Sequence, residues 1–368
     1  MKHLLTFAAG TALLTAACSG PEHRPSDPQA TQATRTLYER LFALRDRGVM
    51  LGQQDALAYG HQRYEPRFSD VYDMTGDYPA VIGWEIGHVE LGAPYSLDSV
   101  YFDDIRRGIA ATAARGGIST ISWHGDNILT GGSTWDCSRS DVVASILPGG
   151  SHHDEYLTRL DRVADFLASL KDAQGKAIPV VLRLYHEQTR SWFWWGADFA
   201  TPDDYKALWR MTVAHLRDTR GVHNVLYGYS PTDVEDEAGY LERYPGDEWV
   251  DVVGFDLYHF GSDEAATQHY MDNMRRNLRI VADYATRSGK LPVMAETGME
   301  GIPVTDYFTR VVAPVIESSG MAWILFWRNA WEPDKPGHFY LPYKGHAAEG
   351  DFKAFIAGDR ILMNQDLR

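Results

Sequence analysis

Arg183-Leu-Tyr-His-Glu-Gln-Thr-Arg-Ser-Trp-Phe-Trp-Trp-Gly196 closes an apolar run that begins at Ile178, and it sets a His-Glu pair directly before a tryptophan-rich turn. A short run rich in Val and Leu that ends in polar residues and then breaks into a loop reads as a strand with chemistry at its C-terminal end. Leu291-Pro-Val-Met-Ala-Glu-Thr-Gly298 repeats the pattern, with Glu296 standing before a glycine turn.

Six further runs share this character, so that strands are predicted at 49–53, 79–86, 118–124, 178–186, 224–230, 250–258, 291–296 and 322–328. Helical spacing lies between most of them, at Leu97–Arg115, Glu155–Lys171, Asp203–Asp218, Glu264–Arg287 and Thr305–Ser319. Strand followed by helix, eight times, implies an α/β fold of the (β/α)8 TIM-barrel type. A doubly wound open sheet also alternates strand and helix, but no GxGxxG phosphate loop follows a strand here. In a barrel the strand ends gather at one rim, and His124, Glu187, Tyr258, Glu296 and Arg328 each fall at or just past a predicted strand end. The long connection from Gly125 to His153 is expected to stand over the site as an irregular loop, whereas Pro231–Asp251 is short for a full helix.

Composition narrows the partners. With 35 Lys and Arg against 50 Asp and Glu, the net charge of -15 and the lack of a basic run argue against nucleic acid. The 11 Trp and 20 Tyr suit stacking on sugar rings, whose faces are apolar and whose rims carry hydroxyls, although a large core also consumes aromatics.

Residues 1–17 have a basic start, an apolar centre and small residues and are followed by Cys18, so that 1–18 reads as a lipoprotein-type secretory signal too short to span a membrane. Leu14-Thr-Ala-Ala-Cys18 resembles a lipoprotein cleavage box with its leucine one place farther out than usual. Lipidation at Cys18, a flexible tether over 19–30 and a catalytic domain over 31–368 are the expected organisation, anchored to the outer membrane on its periplasmic or surface face. Only Cys137 would remain in the processed chain, so neither an internal disulfide nor a thiolate zinc site is expected.

Cleaving a glycosidic bond takes one group to protonate the leaving oxygen and one to stabilise charge at the sugar carbon, and Glu187 and Glu296 can divide those roles. A separation of about 5–5.5 Å would mean direct attack with retention, and about 6.5–9.5 Å inversion through a water. Trp192, Trp194 and Trp195 are candidates for the apolar setting that keeps the acid protonated. Arg183 reads either as a counter-charge for the nucleophile or as a structural ion pair; His186 reads as a sugar ligand, an orienting group for Glu296 or a structural histidine. Glu85, Glu300, Asp233 and Asp256 are further acidic candidates without the aromatic setting of Glu187. His152-His-Asp-Glu155 and His259 offer metal ligands, but no HExxH spacing or GxSxG elbow is present, and no metal or other cofactor is expected.

Four blocks, Ser122-Trp-His-Gly-Asp-Asn127 with Thr130–Asp136, Arg183–Gly196, Tyr244–Tyr258 and Phe326-Trp-Arg-Asn329, make the chain resemble glycoside hydrolase family 26, a clan A family made up mainly of β-mannanases. The resemblance implies a retaining mechanism with Glu187 as acid/base and Glu296 as nucleophile. It further implies that His124 and His186 bind near the cleaved bond, that Trp192 lines it and that Tyr258 contacts the nucleophile. Trp327 would be the platform on the non-leaving side with Arg328 one sugar farther, and Trp135 would lie on the leaving-group side. Where the family often carries Asn-Gly or a similar small pair, this chain has Thr189-Arg190, so hydrogen bonding on the leaving-group side need not follow the family pattern. The implied activity is a monomeric endo-β-1,4-mannanase acting on mannan, glucomannan or galactomannan. A mixed-linkage β-glucanase on the same scaffold and a non-catalytic glycan-binding lipoprotein are the alternatives.

Overall fold

Eight parallel strands close on themselves in the computed structural model, which describes residues 23–368. They are β1 (Val49–Gln54), β2 (Val81–Glu85), β3 (Ile118–Ser122), β4 (Val180–Arg183), β5 (Val225–Tyr229), β6 (Val252–Tyr258), β7 (Leu291–Gly298) and β8 (Trp323–Phe326). Each pairs with its successor, and β1 pairs with both β8 and β2, which completes the barrel. A two-residue β9 (Ile361–Leu362) adds a parallel pairing at the start of β1. The (β/α)8 expectation holds.

Around the barrel run α1 (Gln32–Arg47), α2 (Asp70–Thr75), α3 (Phe102–Ala114), α4 (Val142–Ile146), α5 (His153–Ala168), α6 (Pro202–Ala214), α7 (Glu237–Leu241), α8 (Glu264–Ser288), α9 (Ala313–Ile316) and α10 (Glu349–Ile356). Their starts follow capping chemistry. Thr201 accepts from the Asp204 amide ahead of Pro202, and Asp263 accepts from that of Ala266 at 2.8 Å. Gly289, at φ 70°, ends α8 in the left-handed conformation that glycine adopts without strain.

The core has two layers. Alternate strand residues such as Val81, Val181, Leu226, Val252, Val293 and Leu325 fill the barrel, and Leu37, Tyr38, Leu41, Phe42 and Leu44 of α1 pack on them. The opposite parity, including Ile82, Leu182, Tyr227, Phe255 and Ile324, packs against the outer helices.

Three expectations need adjustment. The stretch expected as tether is, from residue 23 on, part of the folded body. Asp27 is 2% exposed and meets His223 Nδ1 at 2.8 Å, and the Thr31 amide donates to the His223 carbonyl. The Gly125–His153 connection contains α4 rather than being wholly irregular. β4 ends at Arg183, three residues short of the predicted 178–186. Cys18 and the signal segment lie outside the described residues.

Candidate active site

Beyond Arg183 the chain leaves the sheet through two left-handed residues, Tyr185 at φ 39° and Glu187 at φ 59°. Such a conformation costs a non-glycine residue on the order of 1–3 kcal/mol and persists only where the surroundings enforce it. Here they do. The Glu187 amide donates to the Ser230 carbonyl at 2.8 Å, Trp195 Nε1 donates to the His186 carbonyl at 2.8 Å and Trp194 Nε1 to that of Gly125 at 2.8 Å. Trp194 and Trp195 are therefore buried fasteners of this turn and not the apolar surroundings of the acid. Trp192 keeps the expected place, half-exposed, with Nε1 donating to Glu187 Oε2 at 2.6 Å. The turn also brings His186 and Glu187 to the same side, where regular alternation would have separated them.

Glu296 reaches the site through a bulge. Phe255 pairs with Met294 but Asp256 pairs with Glu296, which leaves Ala295 as an extra residue in β7. Leu291, Val293 and Ala295 face the barrel interior, and Glu296 follows on the same side. Its Oε2 accepts from Tyr258 Oη at 2.7 Å, and its Oε1 accepts from Arg183 Nη2. Arg183 also donates to Asp256 Oδ2 at 2.7 Å and to Ser230 Oγ at 3.0 Å. The two readings of Arg183 are thus one arrangement, a buried ion pair that is also the counter-charge of Glu296.

Carboxylate oxygens of Glu187, Asp256 and Glu296 lie within 4.8 Å of one another. Three acids this close could hold a cation, but Arg183 already places its guanidinium on two of them, and Tyr258 and Trp192 donate to oxygens of Glu296 and Glu187. His152, Asp154 and Glu155, at the start of α5, do not join His259 in a ligand cluster among the described residues.

Burial pushes the Glu187 carboxyl up, opposed by the Trp192 hydrogen bond and by the charges of Arg183 and His124. Burial also drives Asp256 well up, against the pull of Arg183 and reinforced by Glu187. His186 is held neutral by burial and by Arg183 and His124. Its Nε2 lies 3.1 Å from His124 Nε2, and His124 Nδ1 lies 2.7 Å from Glu85 Oε2. His124 thus bridges the two, facing the Glu85 carboxylate through Nδ1 and the neutral His186 ring through Nε2. Burial works against the Glu85 anion, but the charge and hydrogen bonds of His124 outweigh it and leave the carboxyl below its ordinary value.

These groups stand at the base of a cleft of about 420 Å³, walled by Trp135, Trp192, Asp233, Tyr258, Phe260 and Trp327 among others. A mainly apolar cleft with two opposed acids suits a carbohydrate. Residues 26–311 match the model of glycosyl hydrolase family 26.

The chain belongs to glycosyl hydrolase family 26.

Among solved structures, a family 26 β-mannanase from Bacteroides ovatus is 41% identical, with a TM-score of 0.88, over 91% of this chain and 96% of that one. A family 26 protein from Muricauda is 28% identical, with a TM-score of 0.85, over 94% of each chain. A mannan endo-1,4-β-mannosidase from Bifidobacterium adolescentis is 32% identical over 99% of this chain, which spans only 37% of that relative's length.

In this family 26 barrel, Glu187, Trp192, Tyr258, Trp327 and Trp135 border one cleft, with Glu296 beneath its floor. The Trp135 ring stacks on His124 at 5.3 Å, and His186 meets His124 edge-on at 4.5 Å. Arg328 stands apart. It is 6% exposed and engaged by Glu332 through two bonds of 3.1 Å, by Asp98 at 3.2 Å and by Tyr59 Oη at 3.0 Å, so its fork is occupied by protein groups. Two acids that the sequence reading set aside take supporting places, Asp256 under Arg183 and Glu85 under His124. Both have the inward parity of their strands, and that parity was the signal available to find them.

Proposed function

We propose that this family 26 chain is a retaining endo-β-1,4-mannanase. The observation that supports the reading is the closeness of Glu187 and Glu296, which have oxygens within 4.8 Å of each other, short of the about 6.5–9.5 Å that leaves room for an intervening water. Glu187, which burial favours in its protonated form, donates its proton to the leaving oxygen. Glu296, fixed by Tyr258 and Arg183, attacks the anomeric carbon from the opposite face and forms a glycosyl-enzyme. Glu187, now ionised, takes a proton from water, which displaces Glu296 and restores both groups.

The mannose preference is supported by the β-mannanase from Bacteroides ovatus and the mannan endo-1,4-β-mannosidase from Bifidobacterium adolescentis, both similar to this chain. Incubation of the chain with linear mannan, galactomannan and mixed-linkage glucan in parallel, with the anomer of the first product followed by NMR, tests it. Manno-oligosaccharides released first as β-anomers are expected; cleavage of glucan alone would keep the glutamates and overturn the sugar. The lipid anchor at Cys18 and an outer-membrane location belong to the same proposal, supported by the cleavage-box sequence, and mass analysis of the membrane fraction tests them.

A further inference from the structure

Phe260 is 82% exposed, follows Tyr258 by two residues at the end of β6 and borders the catalytic cleft. A phenyl ring left in water beside a cleft has no packing role in the fold. Thr232 and Asp233, on the loop that follows β5, line the same cleft. That loop is clasped to the loop carrying the acid. Thr189 Oγ1 and Thr232 Oγ1 share a hydrogen bond of 2.6 Å, the Thr232 amide donates to Thr189 Oγ1 at 3.1 Å, and Arg190 donates to Asp233 Oδ1 at 2.6 Å. Arg190 engages one oxygen of Asp233, and the carboxylate has a second.

The leaving oxygen receives its proton from Glu187, so the sugar attached to it lies beside the loop after β4 that carries the acid, to which the loop after β5 is clasped. Trp192, in contact with Glu187, borders the first sugar there. The ring of Phe260 lies 6.5 Å from that of Tyr258 and is the more exposed of the two. We infer that Phe260 and Asp233 form a binding site for the second sugar on the leaving-group side, with the apolar face of that sugar on Phe260 and one of its hydroxyls donating to Asp233, which Arg190 holds in place. The inference rests on the mannanase reading.

The test is the cleavage pattern of mannopentaose labelled with 18O at its reducing end, because the ratio of products from one substrate does not depend on how much enzyme is active. In Phe260→Ala, cleavages that release a disaccharide or longer from the reducing end should fall relative to release of mannose by about two- to tenfold, the worth of one aromatic contact. Asp233→Asn should shift the ratio the same way, and Phe260→Tyr should keep it. An unchanged ratio in Phe260→Ala, or equal loss of every cleavage mode, overturns the site. Failure of the mannanase reading would look different, since the unmutated chain would not cleave mannopentaose and the same ratio would be read on labelled gluco-oligosaccharides.

Discussion

Arg183→Met removes the guanidinium that pairs with both Asp256 and Glu296 and puts an apolar chain in its place. Arg183, Asp256 and Glu296 are 6%, 1% and 3% exposed, so water cannot substitute for the lost charge. Breaking a buried pair from one side costs about 3–5 kcal/mol, a large part of the roughly 5–15 kcal/mol that holds a domain folded. The deficit should depend on pH. Arg183 lowers the carboxyls of Asp256 and Glu187, both already raised by burial, so its loss raises both further. A carboxyl with a raised folded value contributes stability that is full below its unfolded value and is lost as pH climbs through the folded one. The variant should therefore be weakest near neutrality and recover as pH falls toward about 4, the value of an unfolded carboxyl. Urea unfolding at about pH 7 and about pH 4.5 measures this directly as a displaced midpoint at constant slope. Adding Asp256→Asn should restore part of the loss at the higher pH by removing one uncompensated acid. A deficit that is equal at both pH values, or below about 1 kcal/mol at neutrality, would refute the reasoning.

Three further outcomes are expected. Glu187→Ala should lose about 10²–10⁴ in turnover of polymer, yet retain activity on an aryl glycoside whose leaving group needs no proton, with azide raising it; equal loss on all substrates would remove Glu187 from the acid role. Trp192→Phe should move the alkaline limb of kcat/KM to higher pH, because the indole N–H holds the Glu187 carboxyl down and the limb reports loss of its proton; a limb that stays or falls would contradict that. Gly298→Ala, at φ 147° with Tyr340 within 2.4 Å of the added carbon, should destabilise the chain by about 1–3 kcal/mol in thermal or urea unfolding.

The barrel was legible because its strands are short Val- and Ile-rich runs separated by amphipathic helices, a periodicity that survives without tertiary information. Glu187 and Glu296 were legible as acids that close such runs. Less visible was how they turn inward. The left-handed Tyr185 and Glu187 carry no glycine to mark them, and the extra residue in β7 is an alanine like any other. The docking of residues 23–30 was hidden for a different reason. Asp27 finds His223, and the Ser26 amide finds Asp251, across some 200 positions of chain, whereas proline and polar residues alone read locally as a tether. α1 carries a readable signal in its Thr31 cap and its Leu37, Leu41 and Leu44 spacing, but it precedes the first strand and so stands outside the strand–helix alternation.

The extra alanine in β7 also bears on folding fidelity. If β7 kept regular alternation through Ala295 with no bulge there, Glu296 would point among Met294, Ile324 and the other apolar groups beneath the outer helices, where an unpaired carboxylate is several kcal/mol out of place. The misthreaded barrel would be penalised by its own catalytic charge. Correct threading and a competent nucleophile are then a single event, and a mechanism-based inactivator should count as many active sites as there are folded molecules.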